Sequence, residues 1–168
     1  MAFDPELWRH TTARADDAVS LADYLAAALA ARQQAARYPF VIIDRETDRL
    51  AGSTSYYKVD EAEQSLSIGY TWVGQEFQRT GLNRAAKHLL LSHAFGALGC
   101  ERVELETDVH NHKSQQAMRQ MGATEEGILR GHRNTQGGRR RDTVIFSILR
   151  PEWEPLRRTV FAEFDPRG

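Results

Sequence analysis

The sequence predicts an α/β (α+β) fold, a mixed and mostly antiparallel sheet flanked by helices, and three observations predict it. Segments rich in β-branched and aromatic residues, among them Phe40-Val41-Ile42-Ile43-Asp44 and Ser67-Ile68-Gly69-Tyr70-Thr71-Trp72-Val73, have the composition of strands. Arg102-Val103-Glu104-Leu105-Glu106-Thr107 alternates strictly, which puts Val103 and Leu105 on one face and Glu104 and Glu106 on the other. Between such segments Ala85, Ala86, Leu89, Leu90 and Phe95 recur at helical spacing. A chain of 168 residues, 41% of them hydrophobic, can bury one sizeable core, so a single domain over residues 1–168 is expected.

Taken in order, Phe3, Leu7 and Trp8 read as an apolar tether at the start of the chain. Ser20 is expected to cap an alanine-rich helix running to about Arg37, with Leu21, Tyr24, Leu25, Ala28 and Leu29 as its apolar stripe and Pro39 ending it. Residues 40–44 and Leu50 to Tyr57 then form a hairpin around Arg45 to Arg49, and a polar loop from Asp60 to Gln64 leads into the strand at 67–73. A helix opens at Gly81 and ends near Gly96-Ala97-Leu98-Gly99. After the alternating strand come a helix from Ser114 to Met121 and strands near Ala123 to Arg130 and Thr143 to Leu149, joined through a turn at Gln136-Gly137-Gly138. Pro151 to Phe164 is amphipathic and reads as a terminal helix.

Composition removes several function classes. The formal net charge of -1 argues against a protein built mainly to bind nucleic acid, although Arg139-Arg140-Arg141 is a local basic cluster. Arg130, Arg133 and that cluster could form a basic rim toward an acidic substrate or a phosphate, or a solvated loop. The single cysteine, Cys100, excludes an intrachain disulfide and reads as a small buried residue. The chain has neither a signal-peptide pattern nor an apolar run long enough to span a bilayer, so a soluble cytoplasmic protein is expected, with no membrane partner. His110-x-His112 lacks further ligands at metal spacing beyond Asp108, so no metal site is expected, and His88 and His93 read as packing or surface residues.

The stretch with chemistry in it is Gln78-Arg79-Thr80-Gly81-Leu82-Asn83, between a strand and a helix. The first backbone N–H groups of a helix lack intrahelical partners and attract anions. Gly81 can adopt backbone angles closed to other residues and lets a phosphate approach the main chain, while Arg79 and Arg84 add positive charge. A helix terminus contributes roughly 0.3–1 kcal/mol per favourable charge, so a pyrophosphate needs several amides and a cation together.

Gln78-x-x-Gly81-x-Asn83 after a strand resembles the acetyl-CoA pyrophosphate loop of the GNAT superfamily of N-acetyltransferases, with Asn83 where the family has Gly or Ala. Downstream, Asn111-x-x-Ser114, a helix through Met118 and then Met121-Gly122-Ala123 resemble the family's second cofactor motif. Glu126-Gly127-x-Leu129-Arg130, Arg141-Asp142-Thr143 and Glu152-Trp153 are similar to the branch containing bacterial ribosomal-protein N-terminal acetyltransferases. The ordered set runs from Phe40 to Trp153. The fold so implied usually begins with a strand that has no counterpart here, which leaves a different sheet edge or one covered by another subunit, and a homodimer is among the expectations.

The resemblance implies acetyl-CoA as cosubstrate and a primary amine, on a protein N-terminus or a small molecule, as acceptor. Thr71, Trp72 and Val73 would offer backbone groups to the pantetheine arm and thioester. Arg79, Thr80, Gly81, Leu82, Asn83 and Arg84 would cradle the pyrophosphate, and Asn111 and Ser114 would contact the far side of the cofactor. Ser114 is the candidate general acid toward the departing thiolate; Met118 stands where many members have a tyrosine acid. Ser67 occupies a position where many relatives carry a glutamate, and Arg130-Gly131-His132-Arg133 lacks the carboxylate used on the later strand, so Glu106 and His132 are the candidate bases. An α-amine, with a pKa of about 7.7–8.0, needs less help from a base than a lysine at about 10.4. The alternative expectation is a non-catalytic acyl-CoA-binding regulatory module, motivated by Ser67, Met118 and the unfilled base.

Overall fold

The computed structural model describes residues 3–135 and 137–164. A short 3-10 turn (Pro5–Leu7) precedes α1 (Ala18–Gln33). Then come β1 (Arg37–Asp44), β2 (Arg49–Asp60), β3 (Ser65–Val73), α2 (Leu82–Gly96), β4 (Arg102–Asp108), α3 (His112–Gln120), β5 (Thr124–Asn134), β6 (Arg140–Leu149) and α4 (Arg150–Thr159). The six strands form one sheet in the order β1-β2-β3-β4-β6-β5. All neighbours are antiparallel except β3 and β4. The α/β expectation holds, and among the described residues no strand precedes α1.

The first helix departs from expectation at both ends. Its N-cap is Asp17, whose carboxylate accepts from the Ser20 N–H at 2.7 Å; Ser20 Oγ in turn accepts from the Asp17 N–H at 3.1 Å. Ser20 is thus the third-residue partner of a capping box rather than the cap, because a carboxylate one turn earlier satisfies the free amides first. The helix stops at Gln33, and Pro39 lies inside β1, paired with Ser55. β1 is an edge strand, where a residue without an N–H is tolerated. Of the expected stripe only Tyr24 and Ala28 are buried; Leu25 and Leu29 face solvent.

The main core lies between the sheet and α2, α3 and α4, with Leu66, Ile68, Leu91, Val103, Leu105, Phe146, Ile148 and Phe161 almost wholly enclosed. On α2 the buried face runs through Leu91, Ala94 and Phe95, whereas Leu89, expected inside, is 69% exposed. His88 sits among the rings of Trp153, Phe161 and Phe164, and Cys100 is buried, in agreement with its sequence context. The terminal segment is two pieces, α4 and a 3-10 turn at Ala162–Phe164. The turn expected at 136–138 includes Gln136, which lies outside the described residues; Gly138 N–H donates to Thr135 O there. Gly122, just after α3, has a φ of 83°, and a Cβ on it would meet Leu156 Cδ2 at 2.2 Å, so the α3–β5 corner needs a glycine.

The sheet is not continuous across its middle. β3 and β4 pair only from Ser65–Arg102 to Ile68–Leu105. Beyond that point β3 stays with β2, and Glu106 to Asp108 of β4 stay with β6. A bulge in β3 starts the divergence: Ser55 pairs with Gly69 and Ser53 with Trp72, three steps against two, and Tyr70 takes a φ of 51°.

Candidate active site

Where β3 and β4 separate, a cleft of about 1490 Å³ opens, lined by Ile68 to Val73 from one strand and Leu105 to Thr107 from the other. The chain leaves β3 through a single 3-10 turn (Gln75–Phe77) and enters α2 through Gly81, the N-cap, which has a φ of 84° and no atom within 4 Å of the place a Cβ would take. That is backbone laid open on the cleft side, the arrangement an anion cradle needs.

The loop is braced from within. Thr80 Oγ1 donates to Phe77 O at 2.7 Å and Gln78 Nε2 donates to Val73 O at 3.1 Å. Lys113 Nζ of α3 donates to Gln78 Oε1 at 2.5 Å, tying the two motif halves together across the cleft mouth. Arg84 is held to Val160 O and to Glu163 at 3.2 Å. At the start of α3, Asn111 Oδ1 accepts from the Ser114 N–H at 3.1 Å, so Asn111 is the N-cap; Ser114 is half-buried beside it and also lines the cleft.

Of the predicted cofactor residues, Thr71, Trp72, Val73, Arg79, Gly81, Asn83, Arg84, Asn111 and Ser114 all line this one cleft, and Thr80 and Leu82 do not. Thr80 closes the turn, and Leu82 packs beside Ile42, Ala51, Val73 and Phe77, anchoring the helix start to the sheet. Of the three catalytic candidates, Ser114 and Glu106 share the cleft. His132 is not part of its lining; burial lowers its pKa, with the Arg133 charge acting the same way, and its Nδ1 is buried without a hydrogen bond.

Glu106 is not a solvated residue. Its side chain is 9% exposed, with Lys58 at 3.0 Å, Arg133 at 3.2 Å and Arg141 at 3.8 Å. Desolvation pushes its carboxyl up, but the Lys58 hydrogen bond and the Arg133 and Arg141 charges outweigh that and hold it below the usual range. A carboxylate so neutralised is a weak proton acceptor. The same contacts revise the basic rim: Arg141 is buried, and Arg139 turns inward to the fully buried Asp108, leaving Arg130 and Arg140 exposed.

Two groups of cleft residues are not marked as such in the sequence. An aromatic wall combines Trp8 with Trp72 and Tyr24, at centroid distances of 5.8 and 5.5 Å, and Tyr57 with Tyr70 at 5.2 Å. The sequence marks Trp8 only as a tether, and nothing local foretells that it meets Trp72. The second is Lys87, 6% exposed on α2, whose Nζ donates to Thr71 Oγ1 at 2.8 Å. Its helical phase, four residues after Asn83, is the one signal that could have found it. Among the described residues no group of three His, Cys, Asp or Glu side chains is placed to hold a metal ion.

Residues 1–124 match the acetyltransferase (GNAT) domain family. A curated relative, "Putative ribosomal N-acetyltransferase YdaF" of Bacillus subtilis (strain 168), is 34% identical over 105 residues, 62% of this chain and 56% of its own length. An uncharacterized N-acetyltransferase, p20 of Bacillus licheniformis, is 28% identical across 68% of this chain and 63% of its own. The matched stretch therefore spans somewhat under two thirds of these relatives. Among solved structures, an acetyltransferase from T. thermophilus superposes with a TM-score of 0.86 at 31% identity, covering 96% of this chain and 84% of that one. With the motif order, the divergent β3–β4 pair and the matched domain in agreement, this chain belongs to the GNAT acetyltransferase family.

Proposed function

We propose that this protein is an acetyl-CoA-dependent N-acetyltransferase that acts on a primary amine of a protein N-terminus or a small molecule. The observation that carries the reading is the cleft between β3 and β4, with the Gly81 loop and the Asn111–Ser114 helix start on one side and the aromatic wall and Glu106 on the other. The cleft fits the proposed cosubstrate: it is roomy and open at Gly81, and Arg79, Arg84 and Lys113 bring cations to that end. Acetyl-CoA supplies the activated acyl group. Thr71 to Val73 would hold the pantetheine arm by backbone groups and Gly81 to Arg84 the pyrophosphate.

In the transfer the amine nitrogen attacks the thioester carbonyl, the C–S bond breaks and the nitrogen loses a proton. Ser114, with no described partner on its hydroxyl, is placed to give the thiolate its proton. Since Glu106 is charge-neutralised and His132 stands outside the cleft, an acceptor that is already largely uncharged near neutral pH fits best, which favours α-amines over lysine side chains. The name of the B. subtilis relative makes ribosomal-protein N-termini a sensible first panel.

The same two observations, with Met118 where an acid is usual, support a second reading, a silent acyl-CoA-binding module. Calorimetric titration with acetyl-CoA, followed by thiol release against amines and N-terminal peptides, separates the two. Binding with thiol release supports the enzyme; binding without release on any acceptor supports the module; no binding at millimolar concentration overturns both.

A further inference from the structure

The chain has three lysines, Lys58, Lys87 and Lys113. Lys58 is paired with Glu104 and Glu106, each at 3.0 Å, and Lys113 is exposed with Gln78 as its partner. Lys87 is different. It projects from the second turn of α2, is 6% exposed, and lines the cleft next to Thr71 and Met118. Its Nζ has one hydrogen-bond partner among the described residues, Thr71 Oγ1 at 2.8 Å, which is itself 2.8 Å from Thr54 Oγ1. Among the described residues no carboxylate from β2, β3, α2 or α3 offsets its charge.

A buried ammonium with one hydroxyl partner keeps two donors unsatisfied and a charge uncompensated, and both costs vanish when the group loses its proton. Desolvation alone brings its pKa down to about 7. An uncharged primary amine is the functional group that an acyl thioester reacts with, and this one is held by Thr71, on the strand segment expected to bind the pantetheine arm.

We propose that Lys87 is an internal acyl acceptor, a self-acetylation site that acetyl-CoA bound in the cleft modifies at Nζ. The Nζ lone pair attacks the thioester carbonyl, a C–N bond forms as the C–S bond breaks, and the nitrogen's proton goes to the CoA thiolate. The product is an uncharged amide, which suits the enclosed site better than an ammonium and fills part of the cleft. The proposal rests on the acetyl-CoA reading, so its test carries a separate binding measurement.

Wild-type protein is incubated with acetyl-CoA and no external amine, and acetylation at each lysine is followed by peptide mass spectrometry, with acetyl-CoA affinity measured in parallel. Lys58 and Lys113 serve as internal references for bulk reaction. Effective concentration within a cleft predicts labelling of Lys87 at least roughly tenfold faster than of Lys113, approaching one acetyl group per chain. Gly81→Glu, designed to weaken acetyl-CoA binding, is expected to abolish labelling at Lys87 while leaving that at Lys113 unchanged. Binding without labelling at Lys87, or labelling no faster than at Lys113, overturns the self-acetylation proposal and leaves the acetyl-CoA reading standing. Absence of binding overturns both.

Discussion

Glu106 Oε2 lies 3.0 Å from Lys58 Nζ, a contact that reaches from β4 over to β2. With Arg133 and Arg141 on its other oxygen, Glu106 is the hub that holds three cations beside the cleft. Glu106→Gln is therefore expected to lower stability by roughly 2 kcal/mol, because it strands buried positive charge. Its folded-state carboxyl is depressed, so the stabilisation is present above the ordinary value of 4.5 and lost as pH falls below it. Wild-type melting temperature should fall steeply in that acid range, and the variant's should fall less. A large kcat loss with unchanged stability would return Glu106 to the role of base.

Gly81 takes a φ of 84° with open space where a side chain would go. Gly81→Ala should therefore cost about 1 kcal/mol of stability from backbone strain alone, with little change in acetyl-CoA affinity. Gly81→Glu adds a charge facing the proposed phosphate site, and roughly 100-fold weaker binding is expected by calorimetry. Equal affinities for the two variants would place the phosphates elsewhere.

Ser114 donates its N–H to Asn111 whatever its side chain is. Ser114→Ala should leave the helix start and the acetyl-CoA dissociation constant nearly unchanged, while kcat falls on the order of 100-fold if the hydroxyl protonates the thiolate. Steady-state kinetics beside calorimetry reads the difference, and an unaltered kcat removes the acid role.

Burial takes Lys87 from the ordinary 10.5 to about 7. Between those values the unfolded chain binds a proton that the folded one does not, so stability rises with pH across that window and the penalty is complete below it. Lys87→Met should remove up to about 4 kcal/mol of penalty at pH 7 and flatten the rise in melting temperature between pH 7 and 10. A variant less stable than wild type at pH 7, with the same pH slope, would mean that the ammonium is well compensated.

Much of the architecture is legible because it is written in local terms. Strict alternation in Arg102 to Thr107 means a half-buried strand in any context, and a glycine between strand and helix means a left-handed cap. Expectation and structure part where two local signals compete. Ser20 and Asp17 are both good caps, and the earlier one prevails; Pro39 ends helices but is also at home on a sheet edge, and only the strand order makes β1 an edge. Leu25 and Leu89 have the right spacing for burial, but whether a face is covered depends on what packs there.

By itself, the sequence determined the element types, the glycine-capped loop and the positions of the two cofactor motifs, since each depends on neighbours a few residues apart. Only the tertiary structure decided which polar groups share an environment. Glu106 is neutralised by residues 48, 27 and 35 positions away, Arg139 turns inward to Asp108, His132 falls outside the cleft, and Lys87 is buried against a threonine hydroxyl. The reason is physical: a side chain's charge state is set by desolvation and by charges within a few ångströms, and chain separation carries almost no information about either.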